Sequence, residues 1–250
     1  MIKSPIKWAG GKSWLVPKIK DDFNILKVDN FIDLFTGSSV VALNIPCKNI
    51  IANDISTPLI NFHNKIKQGL IINQTYSLTD VEYYSNRARF NVVKNNLTDE
   101  SATLFYYLNR AGFNGLYREN SKGEFNVPWG KKKTFKPLEV NKQVYSKIVF
   151  LNSSYEQVRV PTNSLIYVDP PYDTPFTKYS KGDFIWEDQI KLVEWLVNTN
   201  EKIIISNQAT DRIIDLYTSY NFNIEIIEAP RRISANGNRE KAKEVYAKNF

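Results

Sequence analysis

Asp169, Pro170, Pro171 and Tyr172 stand directly after the apolar run Ser164 to Val168, which sets an acid, a rigid turn and an aromatic face at one strand end. A planar exocyclic amine needs an acceptor for its N–H hydrogens, a second acceptor from fixed backbone, and a stacking surface for its ring. Asp169, the carbonyl of Pro170 and Tyr172 can supply these, so the tetrapeptide suits chemistry on the amino group of a base. The same residues also make an ordinary Asp-Pro turn, and alone the motif does not separate the two readings.

Two more acids take comparable places. Asp33 lies in the run Phe31 to Phe35, and Thr36-Gly37-Ser38-Ser39 turns out of it into an expected helix, Val40 to Asn44. Asp54 ends the run Ile50 to Asp54, about where a dinucleotide fold holds its ribose-binding carboxylate. One acid at a strand end is commonly a helix cap. Three together point to a ligand, because open α/β sheets bind beyond the carboxyl ends of their strands. The turn keeps a single glycine, unlike the Gly-x-Gly-x-x-Gly fingerprint of pyrophosphate sites. Gly10-Gly11-Lys12-Ser13 imitates the end of a phosphate loop, but Ile6 stands where its first glycine is required, and that reading fails.

The elements that must position these residues are legible as further β-rich runs, Lys147 to Leu151, Leu165 to Val168 and Lys202 to Ser206, alternating with helical stretches. They predict an α/β fold with a mostly parallel sheet. Phe222 to Ile227 and Glu244 to Asn249 read as a closing antiparallel hairpin. Between Thr57 and Pro137 a polar, aromatic-rich, mainly helical segment interrupts the strands and reads as an insertion. The division is residues 1–56 with 138–250, and 57–137.

Composition narrows the chemistry. The 250 residues are 42% hydrophobic, enough for a sizeable core, and 33 Lys and Arg against 26 Asp and Glu leave a net charge of +7. That balance permits a polyanionic partner. Cys47 and His63 are each the only residue of their kind. This removes disulfides and Cys- or His-rich metal sites, as well as Cys-His or Ser-His-Asp catalysis unless His63 itself takes part. His63 itself is expected on a helix surface. The expectation is no metal, a reducing cytoplasm, and no membrane, since no apolar stretch approaches the ~20 residues of a span.

Taken in order, five motifs resemble the Dam-type, or D12 class, DNA adenine-N6 methyltransferases over nearly the whole chain. They are Lys7-Trp8-Ala9-Gly10-Gly11-Lys12, Asp33-Leu34-Phe35-Thr36-Gly37, Asn53-Asp54-Ile55, Asp169 to Tyr172, and, in the insertion, Phe113-Asn114-Gly115-Leu116-Tyr117-Arg118 followed by Glu124 to Gly130. The resemblance implies a Rossmann-like S-adenosylmethionine-dependent methyltransferase sheet with an inserted, mainly helical target-recognition domain. It implies methyl transfer from S-adenosylmethionine to adenine N6 in duplex DNA, with base flipping, at GATC, by a monomer in the cytoplasm of a bacterial or phage-infected cell. Asp169, Pro170 and Tyr172 would be catalytic. Trp8, Ala9, Gly10, Lys12, Asp33, Phe35, Thr36, Gly37, Ser38, Ser39, Asp54, Ile55 and Tyr155 would hold the cofactor, with Lys12 near its carboxylate end. Ser38 and Ser39 replace the usual glycine-rich turn, and Phe113 replaces a common intercalating tyrosine.

The insertion interleaves Arg110, Arg118, Lys122, Lys131, Lys132, Lys133 and Lys136 with aromatic residues, as a phosphate-neutralising surface with a wedge requires. By resemblance Lys7 and Arg118 contact guanines, Leu116 and Pro128 the middle of the site, and Phe113 with Asn114 the gap beside the flipped base. Asn126 and Lys131 join them at the DNA. Tyr117, Phe125 and Trp129 are expected to pack as a satellite core, and Arg231, Arg232, Arg239 and Lys241 to reach phosphates or sit in a solvated loop. Two rivals stay open: a methyltransferase acting on cytosine N4, RNA adenine or protein glutamine, and a DNA-binding module without catalysis.

Overall fold

The computed structural model describes residues 1–73, 76–135, 137–173, 184–230 and 242–250, so Lys136, Arg231, Arg232, Arg239 and Lys241 lie outside the described residues. The strands are β1 (Asn30–Asp33), β2 (Asn49–Asn53), β3 (Tyr76–Ser77), β4 (Thr134–Phe135), β5 (Ile148–Leu151), β6 (Ser164–Val168), β7 (Lys202–Gln208), β8 (Asn223–Ala229) and β9 (Ala242–Lys248). The helices are α1 (Val16–Leu26), α2 (Thr57–Lys67), α3 (Asp80–Val93), α4 (Asp99–Ala111), α5 (Lys142–Lys147), α6 (Trp186–Asn198) and α7 (Asp211–Ser219). Seven strands form one sheet in the order β5-β2-β1-β6-β7-β9-β8, and β3 pairs with β4 apart from it. β5, β2, β1, β6 and β7 run parallel, while β9 is antiparallel to both β7 and β8.

The chain winds outward from β1 in both directions, first through β2 and β5 and later through β6 and β7. This makes the carboxyl ends of β1 and β6 the switch point at which an open α/β sheet leaves a crevice. Burial on both faces explains why the central strands read as unbroken apolar runs. Leu165, Tyr167 and Ile204 join one core, and Ile166, Val168, Ile203 and Ile205 the other, as the two-residue period of a strand requires. The last strand ties back to the first helix, where Asp22 accepts from Tyr246 Oη at 2.6 Å and pairs with Lys248 at 2.8 Å.

The inserted segment is helical where its caps predict it. Thr79 and Glu82 form a capping box at α3. Thr98 caps α4, which has Asp99 and Glu100 in its first turn and Arg110 in its last, matching the helix dipole. The first helix of this segment, α2, packs on the sheet, with His63 against Phe150 of β5, and carries α4 on its other side. Phe62 of α2 stacks on Tyr106 of α4 at 5.9 Å, Phe105 follows at 5.4 Å, and one core cluster runs from β5 through α2 to Phe90 and Phe125. Phe125 is buried there, while Tyr117 and Trp129 are partly buried against the same cluster.

Two expectations are corrected. Val40 to Asn44 is a series of turns, not a helix. Asn44 Nδ2 donates to the Val40 carbonyl at 2.7 Å, and Pro46 keeps the residue before it out of helical geometry. His63 is fully buried, not on a helix surface. It falls in the inward stripe of α2 with Leu59, Phe62 and Ile66, where it stacks on Phe150 at 4.9 Å. Burial drives its pKa down to about 4, so it is a neutral packing residue. No helix among the described residues is long and apolar enough to cross a membrane.

Candidate active site

The three strand-end acids converge on one cleft of about 740 Å³ at the β1/β6 switch point. Parallel pairing puts Asp33 opposite Ala52 of β2 and opposite Tyr167 of β6, so Asp54 and Asp169 follow on either side of it. Fifteen of the sixteen residues expected at the cofactor or in catalysis line this cleft, whose walls include Trp8, Lys12, Phe35, Gly37, Ser38, Asp54, Ile55, Tyr155, Asp169, Pro170 and Tyr172. Ala9, Gly10, Asp33 and Thr36 line it too. Ser39 does not; it is fully buried behind the turn, bonded to Thr36 Oγ1 at 3.0 Å and beside His63 Nε2.

The turn after β1 is held by the acids themselves. Asp33 Oδ2 accepts from Thr36 Oγ1 at 2.9 Å and from the Ala42 amide at 3.2 Å. Its complete burial raises its pKa to about 7. Asp54 accepts from the Gly37 amide at 3.0 Å and the Ser56 amide at 2.9 Å, one through each oxygen. Each oxygen retains a lone pair for a further donor. Gly37 has φ +46°, and a Cβ there would lie 2.7 Å from Cδ1 of Trp8, so the indole covers this turn only because the residue is glycine. Trp8 stacks on Tyr117 of the insertion at 5.8 Å, which makes the N-terminal segment a strap between the cleft and the inserted helices. Opposite, Phe35, Tyr155 and Phe184 form an apolar slot with ring centres 5.9 to 6.4 Å apart.

At the other end, Asp169 has both oxygens engaged. Oδ1 accepts from Ser206 Oγ at 3.0 Å and Oδ2 from the Lys12 ammonium at 3.0 Å. Burial raises the Asp169 pKa, and Lys12 and Ser206 oppose that rise. Lys12, expected at the far end of a cofactor, is thus nearly buried against the strand-end acid, with Nζ 2.7 Å from the Gly10 carbonyl and 4.8 Å from the Tyr172 ring centre. Behind this group lies Glu244 of β9, 4.0 Å from Lys12, its pKa raised chiefly by burial. The turn itself is gripped from α6 and β7. Gln189 Nε2 donates to the Pro171 carbonyl at 2.8 Å, while Gln189 Oε1 accepts from Asn207 Nδ2, which also donates to Tyr217 Oη. Asp173 is paired with Arg212.

The residues expected at DNA gather elsewhere, around the junction of the N-terminal strap and the end of α4. Asn109 bonds both backbone groups of Lys7, at 3.0 and 2.7 Å. The Phe113 amide donates to the Pro128 carbonyl at 2.9 Å, and Arg118 Nε to Asn126 Oδ1 at 2.7 Å. Phe113 is 51% exposed, Asn114 follows with φ 54°, and Leu116 packs against the core. Lys131, Pro128 and Arg118 are exposed. Lys132 donates to the Arg110 carbonyl at 2.7 Å, and burial with the adjacent charges of Lys7 and Arg110 lowers its pKa. Such a cluster of cations is a fit for a polyanion.

Phe184, Ser206, Gln189, Asn207 and Glu244 escaped the sequence reading. The Ser-Asn pair near the end of β7 carried the one usable signal, because the strand beside β6 must put its end beside Asp169. Among the described residues no group of three or more His, Cys, Asp or Glu is placed to hold a metal.

The family model described as D12 class N6 adenine-specific DNA methyltransferase matches residues 8–233. The DNA adenine methylase of Vibrio cholerae is 32% identical, covering 97% of this chain and 94% of that protein. The DNA adenine methylase of Escherichia coli K12 is 33% identical, with 97% and 93% covered. The Type II methyltransferase M.MjaIII of Methanocaldococcus jannaschii is 32% identical, with 96% of each chain covered.

Proposed function

The chain belongs to the D12 class of N6 adenine-specific DNA methyltransferases, and from that membership we propose that it methylates adenine N6 with S-adenosylmethionine, on a base flipped from duplex DNA at GATC. The observation that carries this reading is the single cleft that opens onto both Asp54 with Gly37 and Asp169 with Tyr172. The residues fit the cofactor. Asp54 keeps acceptor capacity for two adjacent ribose hydroxyls, the slot of Phe35, Tyr155 and Phe184 suits a purine ring, and Trp8 closes the turn. When bound, S-adenosylmethionine supplies an electrophilic methyl group on a sulfonium.

The remaining work falls to the protein. Adenine N6 is a weak nucleophile because its lone pair is delocalised into the ring. Asp169 and the Pro170 carbonyl accept its two hydrogens, favour a tetrahedral nitrogen and stabilise the positive charge that develops there. Gln189 and Asn207 hold the turn so that these acceptors need no reorganisation during the reaction. Tyr172 stacks on the extruded base. Residues 57–137, with Lys7, form the recognition part: Lys7 and Arg118 read guanines, Leu116 and Pro128 touch the middle of the site, and Phe113 with Asn114 fills the gap. Asn126 orients Arg118, and Arg110, Lys131 and Lys132 neutralise phosphates.

The test is transfer of labelled methyl from S-adenosylmethionine to duplex oligonucleotides, followed by digestion to nucleosides. Label in N6-methyldeoxyadenosine, falling when any base pair of GATC is altered, is the expected result. Label in cytosine, RNA or protein overturns the substrate, and equal rates on all duplexes overturn the site.

A further inference from the structure

Resting on the reading of Asp169 as the acceptor for N6, we propose that Glu244 is a second seat for the Lys12 ammonium, which leaves Asp169 for Glu244 when the target amine arrives. The need for such a seat follows from the occupancy of Asp169. Its Oδ1 is taken by Ser206 and its Oδ2 by Lys12, so an amine seeking Oδ2 competes with a cation already hydrogen-bonded there. Lys12 is 4% exposed, and a buried ammonium stripped of its anion is strongly disfavoured.

Glu244 answers that need. Its Oε2 is buried, 4.0 Å from Lys12 Nζ, and among the described residues makes no hydrogen bond; the Tyr172 hydroxyl beside it is likewise unpartnered and turns to whichever carboxylate the ammonium leaves. A buried acceptor with no donor calls for an explanation, and a donor that reaches it in only one state of the enzyme provides one. Moving the tip of Lys12 by about 1 Å brings it to hydrogen-bonding range of Oε2. The Gly10 carbonyl serves as the pivot, and the Tyr172 ring flanks the ammonium throughout. Two carboxylates sharing one cation keep the charge of the pocket constant while freeing Asp169. Glu244 is therefore a positioning residue, acting on the reaction through Lys12.

The experiment uses the full chain as wild type, Glu244→Gln, Lys12→Met and the double variant, in single-turnover methyl transfer at saturating S-adenosylmethionine and GATC duplex. Cofactor Kd is measured beside it by calorimetry. Glu244→Gln is expected to slow transfer at least tenfold with Kd changed less than threefold, and the double variant to be no slower than Lys12→Met alone. A rate within twofold of wild type, or losses that multiply in the double variant, overturn the proposal while leaving the methyltransferase reading intact. No N6 label from the wild type overturns both. Should Glu244→Gln not fold, a crystal structure of Asp169→Asn decides: Lys12 Nζ within hydrogen-bonding distance of Glu244 supports the second seat, and Lys12 remaining at position 169 or turned to solvent overturns it.

Discussion

At the scale of single residues, Asp54 and Arg118 separate the two halves of the proposed function. Asp54 bridges the Gly37 and Ser56 amides while offering its remaining lone pairs to the cleft. Asp54→Ala therefore loses the proposed ribose contact and loosens the turn beneath Trp8. Hydrogen bonds to a charged group contribute about 1.5–3 kcal/mol each, so cofactor Kd should rise more than tenfold in a calorimetric titration, with DNA binding in the absence of cofactor unchanged. Arg118 is exposed and already oriented by Asn126. If it reads guanine, Arg118→Ala costs about 1–3 kcal/mol of discrimination, lowering the rate on GATC relative to duplexes altered at one outer base pair. Uniform weakening on every duplex with a shallower salt dependence would make it a phosphate anchor instead. Both residues stand out in the sequence because each lies in a contiguous motif.

At the scale of elements, α2 and the β6 turn carry the next predictions. His63 on α2 has its pKa lowered to about 4 from 6.5, so below pH 6.5 the unfolded chain takes up a proton that the folded chain refuses. Its contribution to stability is full above pH 6.5 and is lost as pH falls toward 4, by about 3 kcal/mol. Asp33, raised to about 7 by burial, works in the opposite sense: the folded state protonates first, and stability rises as pH falls below 7. His63→Gln should thus cost stability at pH 8, and that cost should shrink on acidification, as read from urea unfolding at each pH. Gln189 joins α6 to the Pro171 carbonyl, and Gln189→Leu should lower kcat at least tenfold with KM within threefold, because the polar grip serves the turn more than substrate binding. The strands themselves were legible because burial on both faces writes them as apolar runs. Val40 to Asn44 was not, since its composition serves a helix or packed turns equally well, and Asn44 with Pro46 decides between them. His63 was misread by its polarity, although its spacing from Leu59, Phe62 and Ile66 placed it in the inward stripe.

Across the whole molecule, a net charge of +7 is joined to a cluster of Lys7, Arg110 and Lys132 at the strap. Duplex affinity should fall steeply with salt, and Lys132→Ala should reduce the slope of log K against log salt by about 1, as expected for one lost phosphate contact. The site as an assembly was only partly legible. Asp169, Asp54 and Gly37 announce themselves locally, whereas Phe184, Ser206 and Glu244 arrive from separate elements through a strand order that no local pattern reveals. Glu244 belongs to β9, which follows β7 and β8 in the chain yet lies between them. On the ribosome this ordering has a temporal consequence. β7 emerges with an open edge and β8 with no strand to pair with, and at roughly 5–20 residues per second the chain takes seconds to reach β9. For that interval the nascent protein is both exposed to edge-to-edge association and without the carboxylate behind its pocket, so if Glu244 is the second seat of Lys12, competence for transfer waits until β9 has paired.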